Sequence, residues 1–514
     1  MKCTNCGGDV ASNTNFCGLC GTPIDHKEDS TEKKAVSPAS TFDASKLKKY
    51  ITPAILIIAL IIVAVIARNA FKPSKYVQYN STFGFRPTDE EIVIQPPGKE
   101  KTTIEGLMMH GEFSLDNSKV AFIVVEDDNY GGGGTLYIAD EKGAERIADD
   151  VYKMTIASSG EGVAFVQEVD GDVGTLCLYK GGKTTTISAD VSAYNRLSIS
   201  PDGSVVGYTV YDDLEYETIG YFFDGKQKEL GKDIIPVAIS NGAKHVYYQK
   251  NGKLYVQKGD NTDTKVSLGE YRFITAFNKD LSELIFTADT SNGYRSYISR
   301  NGGEKERLPG EITDILLPAG TIRNEHVLGI NSFADTYYLT YDDDVYHING
   351  KYESRKVLSN AYEPQLSIDG KTIFYQDYDN IEKINGSKES AEAVELVEED
   401  VYSFVVTGDK DAIYYITYDG ELYYQKGKGK PVLVDNDLSS DRFALYMGNK
   451  LFYVSDEELY VSTDGKGTAV DGIDGYVERV VSVLNSVYVY ANDDYDTLVY
   501  QSIDGENFEL IDQY

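Results

Sequence analysis

The chain has 514 residues, enough for several domains, and its formal net charge is −33. A surface that binds nucleic acid needs clustered lysine and arginine to neutralise phosphates, so this charge argues against a nucleic-acid partner. Tyrosine occurs 41 times, whereas tryptophan is absent. Because tyrosine and β-branched residues favour strands, the composition predicts a mostly β fold. Only five cysteines occur, so disulfides do not hold the bulk of the chain together.

Four cysteines lie near the start of the chain and form two C-x2-C pairs: Cys3 with Cys6, and Cys17 with Cys20. A two-residue spacer lets both sulfurs of a pair reach one metal ion, and four thiolates complete the shell of a structural zinc site. The pattern resembles the short N-terminal zinc ribbons of bacterial membrane proteins over residues 3–24. A redox C-x-x-C and a rubredoxin-type iron site are the alternatives. We expect a zinc ribbon at 1–24, in which the metal supplies folding free energy that so short a segment lacks.

A membrane span is predicted after a polar linker. Residues 25–50 are mostly charged or small polar side chains, which is typical of a flexible tether. Residues 51–67 read ITPAILIIALIIVAVIA and carry no charge. As a helix they would extend over roughly 26 Å, at the short end for a bilayer core. A cleaved signal peptide would lie nearer to the start of the chain, and a soluble helix is rarely apolar on all faces.

The zinc ribbon decides the predicted orientation, because lysine and arginine are nearly balanced on the two sides of the span. Zinc thiolates favour the reducing cytosol. We therefore expect a single-pass protein of the cell membrane with a cytoplasmic N-terminus and an extracytoplasmic C-terminal domain. Residues 68–100, which include Pro87, Pro96 and Pro97, are predicted to form a stalk. The fifth cysteine, Cys177, lies in an apolar run and is predicted to be a small buried side chain.

Residues 101–514 contain a pattern that recurs about every forty residues. In its clearest copy, a first strand ends in the turn Ser200-Pro-Asp-Gly, an apolar second strand follows at 205–210, and a third strand with tyrosine follows at 219–223. Asn, Asp and Gly in these turns supply the positive φ angles that tight hairpins need. We count ten copies, whose second strands read KVAFIV, GVAFVQ, SVVGYTV, HVYYQ, ELIFTA, HVLGI, TIFYQ, AIYYIT, KLFYVS and SVYVY.

The stretch 200–208 resembles the repeats of TolB-like and dipeptidyl-peptidase-type β-propellers, and the resemblance extends to the architecture of residues 101–514. It implies a β-propeller of about ten four-stranded repeats, arranged as one large ring or two smaller ones. It implies neither transport nor peptidase activity. Residues 101–106 are interpreted as a lone fourth strand that completes a blade with the C-terminal strands, unless residues 507–511 already fill that place.

The hairpins between second and third strands are acidic in most repeats, and in a propeller they share one face. Candidate ligand-binding residues on this face are Asp127, Asp128, Asp212, Asp213, Asp377, Asp379, Asp493 and Asp494. Together with nearby tyrosines, such a face suits a basic polypeptide or a glycan. The alternative interpretation is that these charges only keep strand edges from pairing with other chains.

No enzymatic activity is predicted. The chain has no G-x-S-x-G elbow, and the histidines of the repeat region are scattered: His110, His245, His326 and His347. We expect a membrane-anchored binding or scaffold protein whose extracytoplasmic propeller recognises a protein or envelope ligand, with structural zinc as its cofactor. The alternatives are a hydrolase with its site in the propeller channel, and a purely structural component of an envelope assembly.

Overall fold

The computed structural model describes residue 75 and residues 83–513, apart from gaps at 88–89, 126–131, 213–216, 292, 325, 399, 410, 437, 439–442, 447–449, 484–485, 494–495 and 503–504. The predicted zinc ribbon, linker and membrane span lie outside the described residues, as does most of 68–82. Within the described part of the chain, no helix is both long and apolar enough to cross a bilayer.

Antiparallel strands make up almost all of the described structure, and their sheets follow one another in chain order. A three-stranded sheet comes first, with β1 (Gly84–Pro87), β2 (Glu91–Gln95) and β3 (Thr102–Glu105). Repeats 1 to 3 share one eleven-stranded sheet, because β7 and β10 each pair with strands of two successive repeats. Its strands are β4 (Leu107–Phe113), β5 (Lys119–Val125), β6 (Gly134–Asp140), β7 (Gly143–Ile156), β8 (Gly162–Asp170), β9 (Val173–Lys180), β10 (Lys183–Ser192), β11 (Ser198–Ile199), β12 (Val206–Asp212), β13 (Glu217–Phe223) and β14 (Gln227–Lys232).

Repeats 4 to 10 each form a separate four-stranded sheet. Repeats 4 to 6 contain β15 (Ile234–Ile239), β16 (Val246–Lys250), β17 (Lys253–Lys258) and β18 (Asn261–Glu270); β19 (Phe273–Phe277), β20 (Glu283–Thr290), β21 (Gly293–Arg300) and β22 (Lys305–Arg307); and β23 (Ile312–Leu316), β24 (Thr336–Thr340), β25 (Val345–Ile348) and β26 (Ser354–Leu358). Repeats 7 and 8 contain β27 (Tyr362–Leu366), β28 (Thr372–Asp377), β29 (Asn380–Asn385) and β30 (Val394–Val397), then β31 (Val401–Val406), β32 (Ala412–Thr417), β33 (Leu422–Lys426) and β34 (Val432–Asp435). Repeats 9 and 10 contain β35 (Phe443–Tyr446), β36 (Lys450–Ser455), β37 (Glu458–Thr463) and β38 (Lys466–Ala469), then β39 (Tyr476–Val483), β40 (Ser486–Asp493), β41 (Asp496–Ser502) and β42 (Glu509–Gln513). A short 3-10 turn spans Asn241–Ala243.

The prediction of a mostly β chain is confirmed, but the second strand of repeat 6 was predicted in the wrong place. The run HVLGI at 326–330 is not that strand, because β24 at Thr336–Thr340 takes its position. The described residues of 317–335 instead form an insertion that lies against repeat 5, where Val327 bridges Phe277 in parallel. Leu328 and Ile330 are buried there, so an inserted segment acquires the same apolar pattern as a central strand.

The pairing of the first and last described strands shows whether residues 101–106 share a sheet with the C-terminal strands. Strand β3 pairs with β2, and β42 is the fourth strand of repeat 10. Residues 101–106 therefore do not complete a C-terminal blade. Among the described strands, β42 hydrogen-bonds only to β41, so backbone pairing does not close the series of sheets.

The hydrophobic core lies between consecutive repeats. Most buried clusters combine second-strand residues of one repeat with those of the next, as Ile285 of repeat 5 packs with Tyr338 of repeat 6. Second strands are covered on both faces and so read as unbroken apolar runs. Burial of such a side chain stabilises the fold by about 1.5–3 kcal/mol. Cys177 belongs to the cluster between repeats 1 and 2 and is 1% exposed, as predicted.

The tyrosine content is explained by cross-strand ring pairs between second and third strands. Tyr208 stacks on its register partner Tyr221 with ring centroids 5.8 Å apart. Equivalent stacked pairs occur in six further repeats: Phe122 with Tyr137, Tyr248 with Tyr255, Phe286 with Tyr297, Tyr338 with Tyr346, Tyr415 with Tyr423, and Tyr453 with Tyr460. Directly opposed aromatic pairs stabilise a sheet by roughly 0.2–1 kcal/mol each.

The turn after the first strand has the same hydrogen-bonding pattern in repeats 1, 3 and 7. In repeat 3, the Ser200 hydroxyl donates to Asp202 Oδ1 at 2.7 Å and accepts the Val205 N–H at 2.9 Å. Ser114 of repeat 1 and Ser367 of repeat 7 make the same two contacts with residues two and five positions later. Side chains of this type favour tight turns because they bond to nearby backbone. The predicted turn signal therefore has a local physical cause.

Candidate functional site

The acid–tyrosine pocket lies where repeats 6, 7 and 8 meet and has a volume of about 830 Å³. Its lining includes four carboxylates, five tyrosines, two amides and two serines: Asp343, Glu363, Asp377, Asp379, Tyr362, Tyr375, Tyr378, Tyr402, Tyr418, Gln376, Asn360, Ser359 and Ser403.

Backbone hydrogen bonds between repeats bring these residues together. The Ala361 N–H donates to the Asp343 carbonyl at 2.8 Å, and the Val401 N–H donates to the Asp379 carbonyl at 2.9 Å. Each bond ties the start of one first strand to the hairpin of the preceding repeat.

Four tyrosine rings in this pocket are open to solvent. Tyr362, Tyr378, Tyr402 and Tyr418 are 60%, 90%, 47% and 61% exposed. Tyr402 and Tyr418 meet edge to face, with ring centroids 5.4 Å apart at 84°. Large exposed aromatic groups in one concave place are typical of binding surfaces.

Tyr378 has an unusual backbone conformation. It occupies the hairpin between β28 and β29 with a φ of 53°, in the left-handed region that a bulky residue rarely adopts. Asn or Gly would fit this position with less strain. The hairpin thus holds the exposed Tyr378 ring in a backbone conformation that is unfavourable for tyrosine.

The charged side chains that the structure describes in the pocket lining are all negative. No lysine or arginine occurs among the described residues that line it. The Tyr418 hydroxyl lies 3.4 Å from Asp379 Oδ1. Desolvation and the charge of Asp379 raise the pKa of Tyr418, so this hydroxyl stays protonated at neutral pH.

Gln376 gives the pocket a buried, unsatisfied acceptor. Its side chain is 3% exposed, and its Nε2 donates to the Val401 carbonyl at 2.7 Å. Its Oε1 has no hydrogen-bond partner among the described residues. A buried acceptor without a partner costs about 1–3 kcal/mol, so a donor from a ligand would recover part of this free energy.

The structure places the predicted acidic residues in different settings. Asp377 and Asp379 lie together in the acid–tyrosine pocket, whereas Asp493 is exposed in repeat 10 at the end of β40. Asp212 ends β12, but its side chain is not described. The remaining four fall outside the described residues: Asp127, Asp128, Asp213 and Asp494.

Sequence reasoning missed Gln376 and the tyrosines at the starts of β27 and β31. The available signal was a tyrosine beside an acidic residue at the start of successive first strands, as in Tyr362-Glu363 and Asp400-Val401-Tyr402.

A second concavity, the first-strand cavity, has a volume of about 880 Å³. Its walls are formed by the first strands of repeats 1 to 5, which are β4, the end of β7, β11, β15 and β19, and by residues 323, 324, 326 and 327 of the insertion. Apolar side chains dominate the wall, and Lys153, Arg196 and Arg323 also line it.

The polar groups of the first-strand cavity are partly paired. Glu112 accepts the Ile156 N–H at 3.1 Å and lies 3.2 Å from His110 Nε2, and this hydrogen bond raises the pKa of His110. The Lys153 ammonium donates to the Asn195 carbonyl. Burial, helped by the positive charge of Arg196, lowers the pKa of Lys153 to about 8.

The cavity brings together two of the four histidines. His110 and His326 line it, although 215 residues of sequence separate them. His245 is buried elsewhere, with Nδ1 unpartnered among the described residues, and His347 stacks on Tyr337 with ring centroids 4.7 Å apart. In the described part of the chain, no group of three or more His, Cys, Asp or Glu side chains is arranged to hold a metal ion. The four predicted zinc ligands lie outside that part.

Comparison with known proteins adds little beyond this geometry. No family model and no curated protein matches the chain. The crystal structure of the tricorn protease is 12% identical over 86% of this chain, with a TM-score of 0.31, and the match spans 58% of that protein. The crystal structure of TolB from Acinetobacter baumannii is 16% identical over 52% of this chain and 71% of that one, with a TM-score of 0.30. Similarity of this size supports no inference about activity, so the sites are interpreted from their own residues.

Proposed function

We propose that this chain is a membrane-anchored binding protein whose repeat domain binds a positively charged polypeptide segment in the acid–tyrosine pocket. In this proposal, residues 51–67 anchor the chain, the repeat domain is extracytoplasmic, and a cytoplasmic ribbon holds structural zinc through Cys3, Cys6, Cys17 and Cys20. The observation that carries the proposal is the unpaired Gln376 acceptor among carboxylates that have no basic neighbour in the lining.

The sign of the pocket favours a cationic peptide over a glycan. The carboxylates Asp343, Glu363, Asp377 and Asp379 give the lining a negative charge that a neutral sugar would leave without a counterion. Lysine and arginine donate several N–H groups and also lie favourably over tyrosine rings. The same chemistry occurs within the chain, where Arg479 lies 4.5 Å from the ring centroid of Tyr490.

We also propose that the repeats form a propeller in which the β1–β3 sheet joins repeat 10 to repeat 1. Ile92 and Ile94 of β2 pack with Phe122 of repeat 1. The charge of Arg86 in β1 acts on Tyr488 in repeat 10. Both observations support a position of this sheet between the two ends of the series.

A hydrolase is the weaker alternative. The first-strand cavity contains a His110–Glu112 pair and a lysine of shifted pKa, which general acid–base chemistry would use. Among the described residues, however, His110 hydrogen-bonds Glu112 and no serine or threonine hydroxyl contacts it in the cavity. A nucleophile activated by this histidine is therefore not assembled.

The binding proposal is tested with the full-length protein in nanodiscs of zwitterionic lipid. Isothermal titration with an (Arg-Gly)4 peptide, a (Glu-Gly)4 peptide and chitotetraose should give saturable binding of the arginine peptide alone. Asp377→Asn and Asp379→Asn should each weaken it about two- to fivefold, the effect of one exposed charge pair. Asp263→Asn, an exposed change in β18, is the matched control. Equal affinity of the control and pocket variants, or preferential binding of chitotetraose, would contradict the proposal.

A further inference from the structure

The first-strand cavity combines an apolar wall with cationic groups. Met109, Met154, Ile199 and Phe277 are among its apolar lining residues. A volume of about 880 Å³ falls within the roughly 300–1,000 Å³ range of small-molecule sites. A ligand that fills it needs an apolar body.

The lining of the first-strand cavity is positively charged, whereas the chain as a whole is negatively charged. Lys153, Arg196 and Arg323 line the cavity in a protein whose formal net charge is −33. The carboxylates that face these cations are Glu112, which His110 and a backbone N–H already engage, and Asp314, which lies 2.9 Å from Arg323. Among the described residues, three cations thus meet two carboxylates, and a local positive excess is left.

The Lys153 ammonium, which lines the cavity, has one N–H donor more than the two carbonyl partners that the described structure gives it. It donates to the carbonyls of Ala193 and Asn195, while an ammonium group has three N–H donors. Its carbonyl partners are neutral, and no carboxylate in the described part of the chain forms an ion pair with it.

Asn117 supplies an independent sign of a missing ligand. This residue of the first turn in repeat 1 lines the cavity and is 5% exposed. Its Nδ2 is buried and has no hydrogen-bond partner among the described residues. A buried donor that lacks an acceptor is rare in native proteins and calls for a bound group. The unsatisfied Asn117 donor and the excess positive charge of the lining therefore both favour a ligand with a negatively charged acceptor group.

We propose that the first-strand cavity binds an organic anion, with a carboxylate or phosphate group near Asn117, Lys153 and Arg196 and an apolar body against the first strands. This site is separate from the acid–tyrosine pocket and binds a ligand of opposite charge. A matched cation would meet repulsion from the same side chains, and a small inorganic anion would leave the apolar wall empty.

The experiment uses the full-length protein in a non-ionic detergent at pH 7 and isothermal titration with three probes. These are naphthalene-2-acetate, 2-(2-naphthyl)ethylammonium as its cationic counterpart, and inorganic phosphate as the head group alone. We expect naphthalene-2-acetate to bind at least about tenfold more tightly than either of the other two, since reversal of one charge in a partly buried site exceeds 1.4 kcal/mol, which is tenfold.

Two variants test the location of the site. Asn117→Asp tolerates the φ of 55° at this position and places a carboxylate where the donor was. Arg196→Gln removes an exposed charge at the cavity, so it leaves the fold intact and keeps the proposal falsifiable should Asn117→Asp fail to fold. Each should weaken naphthalene-2-acetate at least about fivefold, whereas Lys253→Gln, a surface change in β17, should not alter it.

Three results would overturn the proposal. Equal or tighter binding of the ammonium probe would show that the positive excess does not select the ligand. Equal binding of phosphate would show that the cavity takes an adventitious ion only. Unchanged affinity in folded Arg196→Gln and Asn117→Asp variants would place the ligand elsewhere.

Discussion

Arg86 in the first strand of the described chain acts electrostatically on Tyr488 in the tenth repeat. Burial raises the pKa of Tyr488, and the positive charge of Arg86 opposes that rise. The Arg86 side chain is 12% exposed, and its guanidinium lies 3.8 Å from Glu91 of β2. Residues about 400 positions apart thus lie within electrostatic range of each other, although the strands that carry them do not pair in the described structure.

The first prediction concerns this relationship. Ile92→Ala should lower the free energy of unfolding by about 2–5 kcal/mol, because Ile92 is fully buried in the cluster with Phe122. If the β1–β3 sheet joins both ends, hydrogen exchange should quicken in β40 of repeat 10 as well as in β5 of repeat 1. Thr103→Ala, an exposed change in the same sheet, is the control. Faster exchange confined to repeat 1 would show that the sheet does not support repeat 10.

The second prediction concerns the repeated turn. Ser200→Ala removes the acceptor of the Val205 N–H and one donor to Asp202. Since the Val205 amide is buried, we expect a loss of about 1–3 kcal/mol in urea unfolding. Ser387→Ala removes a similar contact to Asn385 in an exposed turn and should change stability by less than about 0.5 kcal/mol. Equal effects of the two changes would mean that burial of the turn is not what stabilises it.

The third prediction separates stability from binding at Tyr378. Tyr378→Asn should stabilise the protein by about 0.5–1 kcal/mol, because asparagine adopts the observed φ of 53° with less strain. The same variant should bind the arginine peptide more weakly, since it lacks the exposed ring. Thermal unfolding and titration of one preparation measure both effects. Tyr194→Asn, at another exposed tyrosine, should bring no gain in stability, and a destabilised Tyr378→Asn would contradict the assignment of strain.

The fourth prediction is a pH dependence of anion binding in the first-strand cavity. Lys153 has its pKa lowered to about 8 by burial and by Arg196, and Glu112 and His110 are the other titratable groups beside it. A bound anion favours the charged ammonium, so binding near pH 8 should take up protons, and affinity should fall several-fold between pH 7 and pH 9.5.

Titration in two buffers of different ionisation enthalpy measures this proton uptake. Lys153→Gln should flatten the profile in this range, because it removes the ammonium group whose pKa burial lowers to about 8. An unchanged profile in this variant would exclude Lys153 as the titrating group.

Local sequence features determined much of the architecture. The Ser-x-Asp turn, the unbroken apolar second strand and the tyrosine opposite it depend on contacts between residues close in the chain. The count of ten repeats and the buried state of Cys177 followed from them. The HVLGI segment shows where this reasoning fails, because burial against Phe277 in another repeat produces the same apolar pattern as a central strand.

Only the tertiary structure decided which side chains meet. Asp377 and Asp379 form a pocket because backbone bonds at Asp343 and Asp379 join adjacent repeats, whereas Asp493 has the same local sequence setting and lies apart from it. Lys153, Arg196 and Arg323 reach one cavity from three repeats. The repeat period relates Lys153 to Arg196, 43 positions later, but it does not predict Arg323, which the insertion before β24 brings to the cavity.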